Sequence, residues 1–141
     1  MKNSTDTKVF LDTNVIAYIF DSRDTAKQKK AKELFIELVA AKNCQISTQV
    51  LQELFNVLTR KLKYTKDDAE RIVSGVMNLP VHQLTVNDIA KAMSISISSQ
   101  FTIYDSLIVA AAQAEDCTVV YSEDLNDGQT VGGVHIINPF K

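Results

Sequence analysis

The feature that most constrains the fold is the alternation of short apolar runs, rich in β-branched residues, with longer helical segments. The apolar runs are "KVFL", "CQIST", "VHQLT", "CTVVYS" and "VHIIN". No hairpin signal joins neighbouring runs, so the strands are predicted to lie parallel, with connecting helices on both faces of the sheet. The chain is therefore predicted to adopt an α/β fold, with a central parallel sheet of about five strands flanked by helices.

The helical segments have the periodicity of helices that cover such a sheet. A short apolar helix is predicted at residues 15–20 and a longer amphipathic helix at residues 25–41. Further helices are predicted in "QVLQELFNVLTRKL", in "VNDIAKAMSIS" and in "TKDDAERIVSGVMNL", where Thr65 and Asp68 form a capping-box pattern. The segment "FTIYDSLIVAAAQAED" is apolar nearly all the way round, which is typical of a buried helix.

The composition is that of an ordinary folded domain. The chain has 141 residues, 45% of them hydrophobic, without a linker or repeat, so residues 1–141 are predicted to form a single domain. No apolar stretch is long enough to cross a bilayer and no export signal is found, so we expect a cytoplasmic protein without membrane contact. Cys44 and Cys117 are predicted to be buried, reduced thiols, and His82 and His135 to be ordinary strand-end residues.

The net charge of −2 conceals an asymmetry along the chain. Residues 1–66 contain twelve Lys and Arg against seven Asp and Glu, whereas residues 67–141 contain three against ten. Basic residues cluster in "KQKKAK" (residues 27–32) and "RKLK" (residues 60–63). Either cluster alone fits a solvated helix face, but together with a separate acidic site they would suit a polyanionic substrate.

Two acids follow predicted strands. Asp12 comes directly after the first strand, and Asp124 lies shortly beyond the "TVVY" run. In parallel α/β sheets, ligands bind at the carboxyl ends of the strands. The two acids are therefore expected to share a site at one edge of the sheet.

Two predicted helices contribute further acids. Asp105 is the one charge in "IYDSLIVAAA", and a buried carboxylate without a partner is costly, so Asp105 requires a cation, a donor network or a proton. It could instead cap its helix, but Thr102 and Ser99 are available for that role. Glu53 lies at the edge of an apolar helical stripe, where a glutamate is usually only solvated.

Four segments in order, "LDTN", "QVLQELFNVLTRK", "YDSLIVAAA" and "VVYSEDLNDGQ", resemble the PIN-domain ribonucleases, and most of all the VapC-type toxins of toxin–antitoxin pairs. The resemblance runs from residue 9 to about residue 139. It implies a PIN-like three-layer fold with polar supports at Asn14 and Ser122. The catalytic and metal-binding acids that it implies are Asp12, Glu53, Asp105 and Asp124. The loop "SEDLND" departs from the pattern because Glu123 and Asp127 compete with Asp124 as the fourth acid.

The resemblance also implies an activity. Carboxylates without nearby His or Cys are hard oxygen ligands, suited to Mg²⁺ or Mn²⁺ rather than Zn²⁺. The implied function is a metal-dependent endoribonuclease that hydrolyses RNA phosphodiester bonds, acting as a toxin with a cognate antitoxin protein. The alternative is a PIN-like RNA-processing or RNA-binding protein without a toxin role. The RNA target is not indicated by the sequence.

A two-fold homodimer is also expected. The helix at residues 25–41 and the segment "TKDDAERIVSGVMNL" carry more apolar residues than one small sheet needs, and Val73, Val76 and Met77 are predicted to lie at or near an exposed patch. The acidic site is expected to open onto a groove shared by the two copies. A closed dimer is the commonest soluble assembly, and the family resemblance agrees with it. The opposing interpretation is that these residues complete the monomer core.

Other enzyme classes fit less well. A haloacid-dehalogenase-like phosphotransferase needs a second Asp where this chain has Asn14. A Rossmann or P-loop nucleotide binder needs a Gly-rich turn after the first strand, and none of the four glycines is there. A flap-type DNA nuclease carries additional helical insertions, for which this chain has no room.

Overall fold

The computed structural model describes residues 7–141, which form a six-stranded sheet with the order β3-β2-β1-β4-β6-β5. The strands pair in parallel except for β5, which is antiparallel to β6. The α/β prediction is therefore confirmed for five strands. The strands are Val9–Leu11 (β1), Cys44–Ser47 (β2), Val81–His82 (β3), Val119–Tyr121 (β4), Thr130–Val131 (β5) and Val134–Ile137 (β6).

The sixth strand arises from a hairpin, and the prediction that no hairpin joins neighbouring strands was wrong here. Gly132 and Gly133 connect β5 to β6 with φ angles of 55° and 81°. Such positive φ angles suit glycine, and two successive glycines are a signal for a tight hairpin turn. A Cβ atom at Gly132 would also lie 1.9 Å from Nε2 of Gln113.

Within residues 7–141 six helices cover the sheet, and their bounds agree with the predicted segments to within a few residues. Thr65 accepts a hydrogen bond from the N–H of Asp68, as the sequence pattern predicts, but the complete reciprocal capping box is formed by Thr85 and Asp88. A 3-10 turn, Tyr18–Phe20, follows the first helix. The helices are Thr13–Ala17 (α1), Thr25–Ala40 (α2), Thr48–Arg60 (α3), Lys66–Val76 (α4), Val86–Ser99 (α5) and Ile103–Ala114 (α6).

The core lies between the sheet and the helices. All three residues of β1 are buried, and Phe10 is fully inaccessible. Full burial of a side chain such as Phe10 stabilises the fold by about 2 kcal/mol. Helix α6 packs against β2, β4 and β6, and its residues from Ser106 to Ala112 are buried as predicted. Cys44 and Cys117 are buried free thiols, and burial raises the pKa of each to about 12.

The predicted apolar patch on α4 was wrong for two of its three residues. Val73 and Val76 belong to the core, with 6% and 7% of their surfaces exposed, and Met77 alone is exposed, at 55%. Both valines belong to the hydrophobic core that also contains residues of α1, α2 and α3, so they complete the monomer core.

His82 ends β3, as predicted, and its imidazole lies between two carboxylates. Nε2 is 2.8 Å from Asp88 and Nδ1 is 2.7 Å from Glu115, so both ring nitrogens can be satisfied when the ring is protonated. Burial opposes the imidazolium, but the hydrogen bonds to Glu115 and Asp88 outweigh burial and raise the pKa of His82. The other histidine, His135, lies within β6 and contacts the hydroxyl of Thr130.

Within residues 7–141 no single helix is long and apolar enough to span a membrane, and the one pair with sufficient length and composition, α5 and α6, is bent by 116°.

Candidate active site

A cavity of about 220 Å³ opens where β1 and β4 end, between α1, α3 and α6. All four acids predicted from the sequence lie on its wall, although they come from separate parts of the chain. They are Asp12, Glu53, Asp105 and Asp124. The arrangement agrees with the expectation that ligands bind at the carboxyl ends of parallel strands.

Asp12 is the most buried of these acids, with 6% of its surface exposed. It follows β1 and caps α1, where its carboxylate accepts hydrogen bonds from the N–H of Thr13 (2.8 Å) and from Oγ of Ser122 (2.7 Å). Burial raises the pKa of Asp12 to about 6, against the effect of these two hydrogen bonds, and the nearby carboxylates of Glu53 and Asp124 raise it further. The first strand thus ends on an acid that is held in a poorly solvated, electronegative place.

The two predicted polar supports connect Asp12 with the loop that follows β4. Nδ2 of Asn14 donates to Asp124 (3.1 Å) and lies 3.3 Å from Oδ2 of Asp12. Oδ1 of Asn14 accepts from the N–H of Glu123 (3.0 Å). Oγ of Ser122 accepts from the N–H of Asp124 (3.1 Å) while donating to Asp12. A single amide and a single hydroxyl therefore set the relative position of two acids.

Glu53 is held by two residues that the sequence interpretation missed. Nε2 of Gln49 donates to Oε1 of Glu53 (2.8 Å), and Oγ1 of Thr13 donates to Oε2 (3.3 Å). Nε2 of Gln49 also donates to the backbone carbonyl of Tyr104 (3.1 Å), which links α3 to α6. Gln49 lies one helical turn before Glu53 on the same face of α3, and that spacing is a signal that the sequence contained.

Asp105 lies in the first turn of α6, next to the cavity. Oγ1 of Thr102 accepts from the N–H of Asp105 (3.1 Å), so Thr102 is the cap and the carboxylate of Asp105 is left for another role, as expected. The residue is half-buried. The pKa of Asp105 is raised, mainly by burial and further by the charge of Asp124, against the lowering effect of a hydrogen bond with Thr102.

The geometry favours Asp124 over its two competitors as the fourth acid. Glu123 also lines the cavity, but its carboxylate accepts from Nζ of Lys27 (2.5 Å) and from the hydroxyl of Tyr18 (2.5 Å). Burial raises the pKa of Glu123, but these two hydrogen bonds outweigh burial and lower it. Asp127 is absent from the lining of the cavity and accepts from the N–H of Asn138 (2.7 Å).

One further acid on the cavity wall was not anticipated. Asp21 is buried and accepts from both Nε and Nη2 of Arg23 (2.9 Å each), a bidentate pair. The hydrogen bonds from Arg23 lower the pKa of Asp21 to about 2. Because its charge is already balanced by Arg23, Asp21 differs from the four predicted acids.

The sequence of residues 9–126 matches the family model of the PIN domain. The chain belongs to the PIN-domain family. The recognition made from four short segments is confirmed, as is the PIN-like fold.

Solved structures of VapC toxins and their complexes have the same fold as this PIN domain. VapC20 of Mycobacterium tuberculosis, described as a sarcin-ricin loop cleaving toxin, has a TM-score of 0.66 at 20% identity, over 82% of this chain and 89% of that one. A toxin–antitoxin complex from Klebsiella pneumoniae has a TM-score of 0.67 at 18% sequence identity, over 93% of this chain and 97% of that one. DNA-bound VapBC from Salmonella typhimurium has a TM-score of 0.65 at 18% sequence identity, over 92% of this chain and 96% of that one. A search of curated proteins finds no match.

The donor set of this PIN domain fits a hydrated divalent cation. Among residues 7–141, none of Asp12, Glu53, Asp105 and Asp124 takes part in a salt bridge. Within that same range, no three acidic, histidine or cysteine side chains are already clustered tightly enough to hold an ion by themselves. Mg²⁺ keeps several of its waters and needs few direct carboxylates, so a roomy cavity with separated acids is compatible with it.

Proposed function

We propose that this PIN domain is a metal-dependent endoribonuclease that hydrolyses RNA phosphodiester bonds and acts as the toxin of a toxin–antitoxin pair. The observation that carries the proposal is the ring of four carboxylates around one cavity, none of them in a salt bridge within residues 7–141. The likeness to VapC20, which is described as a sarcin-ricin loop cleaving toxin, agrees with it.

In this proposal Asp12 and Asp105 are the primary ligands of Mg²⁺ or Mn²⁺, and Glu53 and Asp124 complete the coordination or hold its waters. A divalent cation bound there would lower the pKa of an attacking water and neutralise charge on the phosphate. The supports described above keep these carboxylates in place. Gln49 orients Glu53, and Asn14 orients Asp124.

Basic side chains near the cavity suit an RNA backbone. Lys61 lines the cavity, at the end of α3. Glu53 and Lys61 are eight residues apart, about 12 Å along the helix axis, so Lys61 is suited to a phosphate next to the one that is cleaved. The exposed lysines of α2, Lys29, Lys30 and Lys32, would extend a positive surface for a longer RNA.

The proposed partners are a cognate antitoxin protein and a second copy of the chain. Several similar structures are toxin–antitoxin complexes, which favours the antitoxin. For the homodimer, only Met77 remains exposed of the three residues predicted at the end of α4, whereas α5 exposes an apolar stripe made of Val86, Ile89, Met93 and Ile97. Lys91 is the one exposed charged side chain on α5, so two copies of this face could meet with little charge repulsion. Light scattering across a dilution series tests the dimer, and a mass near 15.7 kDa at micromolar concentration would rule it out.

The experiment for the activity uses purified protein, structured RNA and added Mg²⁺ or Mn²⁺. We expect cleavage that EDTA abolishes, and we expect Asp12→Asn and Asp105→Asn to lose it while remaining folded. Asp127→Asn, which changes an acid outside the cavity, is the matched control and should cleave normally. Cleavage that persists in EDTA would remove the metal from the proposal.

The toxin role is tested in growing bacteria. Expression without a partner should slow growth, and the Asp12→Asn variant should not. Equal growth of the two strains, with cleavage retained in vitro, would favour the alternative of an RNA-processing enzyme without a toxin role. The proposed location of the protein is the cytoplasm, where such substrates are found.

A further inference from the structure

One exposed aromatic ring lies on the wall of the acidic cavity. Tyr104 directly precedes Asp105 in the first turn of α6, and 68% of its surface is exposed. Seven other large apolar side chains in residues 7–141 are exposed, by 38% to 84%, and Tyr104 is the one of this group that lines the cavity. Its place beside Asp105, rather than its exposure alone, makes it a candidate for contact with a substrate.

The backbone that presents this ring is firmly held. The carbonyl of Tyr104 accepts from Nε2 of Gln49, and the same amide donates to Glu53. Thr102, two residues before Tyr104, caps the helix. The hydroxyl of Tyr104 makes no hydrogen bond to any side chain or backbone group of residues 7–141, so the ring is positioned by its backbone and its face remains available.

The cavity is lined by apolar side chains as well as by the acids. Ile108 lies one turn after Tyr104 on α6, and Val57 lies one turn after Glu53 on α3. Leu62 lines the same cavity. Hydrated cations and phosphates gain no favourable contact from apolar side chains, whereas a nucleobase has flat apolar faces that stack on aromatic rings.

We propose that the ring of Tyr104 forms a stacking subsite for a nucleobase next to the cleaved phosphodiester. The inference rests on the proposed ribonuclease function. A base within a duplex has both faces covered by its neighbours, so only an unpaired, splayed-out base can present a face to Tyr104.

The test compares the wild type, Tyr104→Ala, Tyr104→Phe and Ile36→Ala on a short, labelled, unpaired RNA of mixed sequence. Ile36 on α2 is the matched control, because it has the same exposed fraction, 68%, and lies away from the cavity. Tyr104→Ala should raise KM by about 5- to 150-fold, the range expected for loss of one stacked base, with kcat little changed. Tyr104→Phe keeps a ring and should behave like the wild type, as should Ile36→Ala.

A second arm measures binding in EDTA, where no cleavage occurs. Fluorescence anisotropy should show the same loss of affinity for Tyr104→Ala. An RNA with one abasic nucleotide beside the cleavage point should bind the wild type as weakly as intact RNA binds Tyr104→Ala. Combining the two changes should add little further loss, because both remove one interaction.

Several results would overturn the subsite. Equal KM and equal affinity for wild type and Tyr104→Ala would do so and would leave the ring to a protein contact. A fall in kcat alone would mean that the substitution disturbs Asp105 instead. Preference for duplex RNA would also contradict it. If the wild type binds RNA through Tyr104 but never cleaves, the ribonuclease proposal fails and the subsite stands; if it does neither, both fail.

Discussion

The buried carboxylate of Asp12 makes a quantitative prediction about stability in the absence of metal. The pKa of Asp12 is raised from 3.8 to about 6, and each pKa unit corresponds to about 1.4 kcal/mol, so ionising Asp12 costs the folded state about 3 kcal/mol at neutral pH. Because only 6% of Asp12 is exposed, solvent screens little of this cost. Asparagine has nearly the same shape without the charge.

Replacing Asp12 with asparagine also has a cost. The carboxylate accepts from Thr13 and Ser122, whereas one amide oxygen cannot replace both acceptors, so about 1 kcal/mol is lost. The net expectation for Asp12→Asn is a gain of about 2 kcal/mol in the free energy of unfolding at neutral pH. The folded state binds the proton more tightly than the unfolded chain, so the ionisation cost is absent below about pH 4, grows between about pH 4 and 6, and is complete above that range.

The assay is urea unfolding in EDTA at about pH 4 and about pH 7.5, followed by circular dichroism. Asp12→Asn should be the more stable protein at the higher pH and should lose that advantage at the lower pH. Asp127→Asn, whose carboxylate lies outside the cavity, should show no such gain. If Asp12→Asn is no more stable than wild type at pH 7.5, or if the difference is the same at both pH values, the reasoning from burial and repulsion is refuted.

Three further predictions concern other positions. The imidazole of His82 contributes stability while it is charged, so in metal-free protein this contribution should be complete below about pH 6.5 and be lost as pH rises through the raised pKa. In His82→Gln, the free energy of unfolding measured with urea should vary less with pH over this range, and an unchanged pH dependence would contradict the ion pairs. Asp124→Asn should abolish RNA cleavage while Asp127→Asn retains it, and the opposite pattern would mean that the fourth acid is wrongly chosen. Gly132→Ala should destabilise the protein by about 1–2 kcal/mol because the φ angle of Gly132 is positive. Gly75→Ala should stabilise the protein by up to about 1 kcal/mol, because Gly75 lies within α4 with open space around it. Thermal unfolding measures both changes, and equal effects would refute the backbone argument.

Much of the fold could be predicted because its signals are local. Strand composition, helical periodicity and helix caps each depend on a few neighbouring residues, and those elements are where the sequence indicated. The hairpin at Gly132 was also marked locally, by two adjacent glycines, and was overlooked. The error on α4 is of another kind. Val73 and Val76 are apolar in any arrangement, and only the tertiary packing of α4 against the rest of the core determines that they are covered.

The acids of the candidate site could be proposed from sequence, but not their partners. Strand ends and a lone charge in an apolar helix are visible in the sequence. The contact that neutralises Glu123, by contrast, comes from Lys27, 96 residues earlier, and no local pattern connects them. Without that contact, the sequence does not distinguish Glu123 from Asp124, because both are acids in the same loop after β4.

The hydrogen bonds of Asn14 determine which way its amide faces. The N–H of Glu123 can only donate, so it requires the oxygen of Asn14, and the NH₂ group must then face Asp12 and Asp124. Aspartate has the same outline, but in this position it would turn an oxygen, and usually a negative charge, towards two acceptors that cannot donate to it when ionised. Position 14 therefore discriminates between an amide and a carboxylate that differ by one heavy atom. Asn14→Asp would keep the outline of the side chain but would set another negative charge against Asp12 and Asp124.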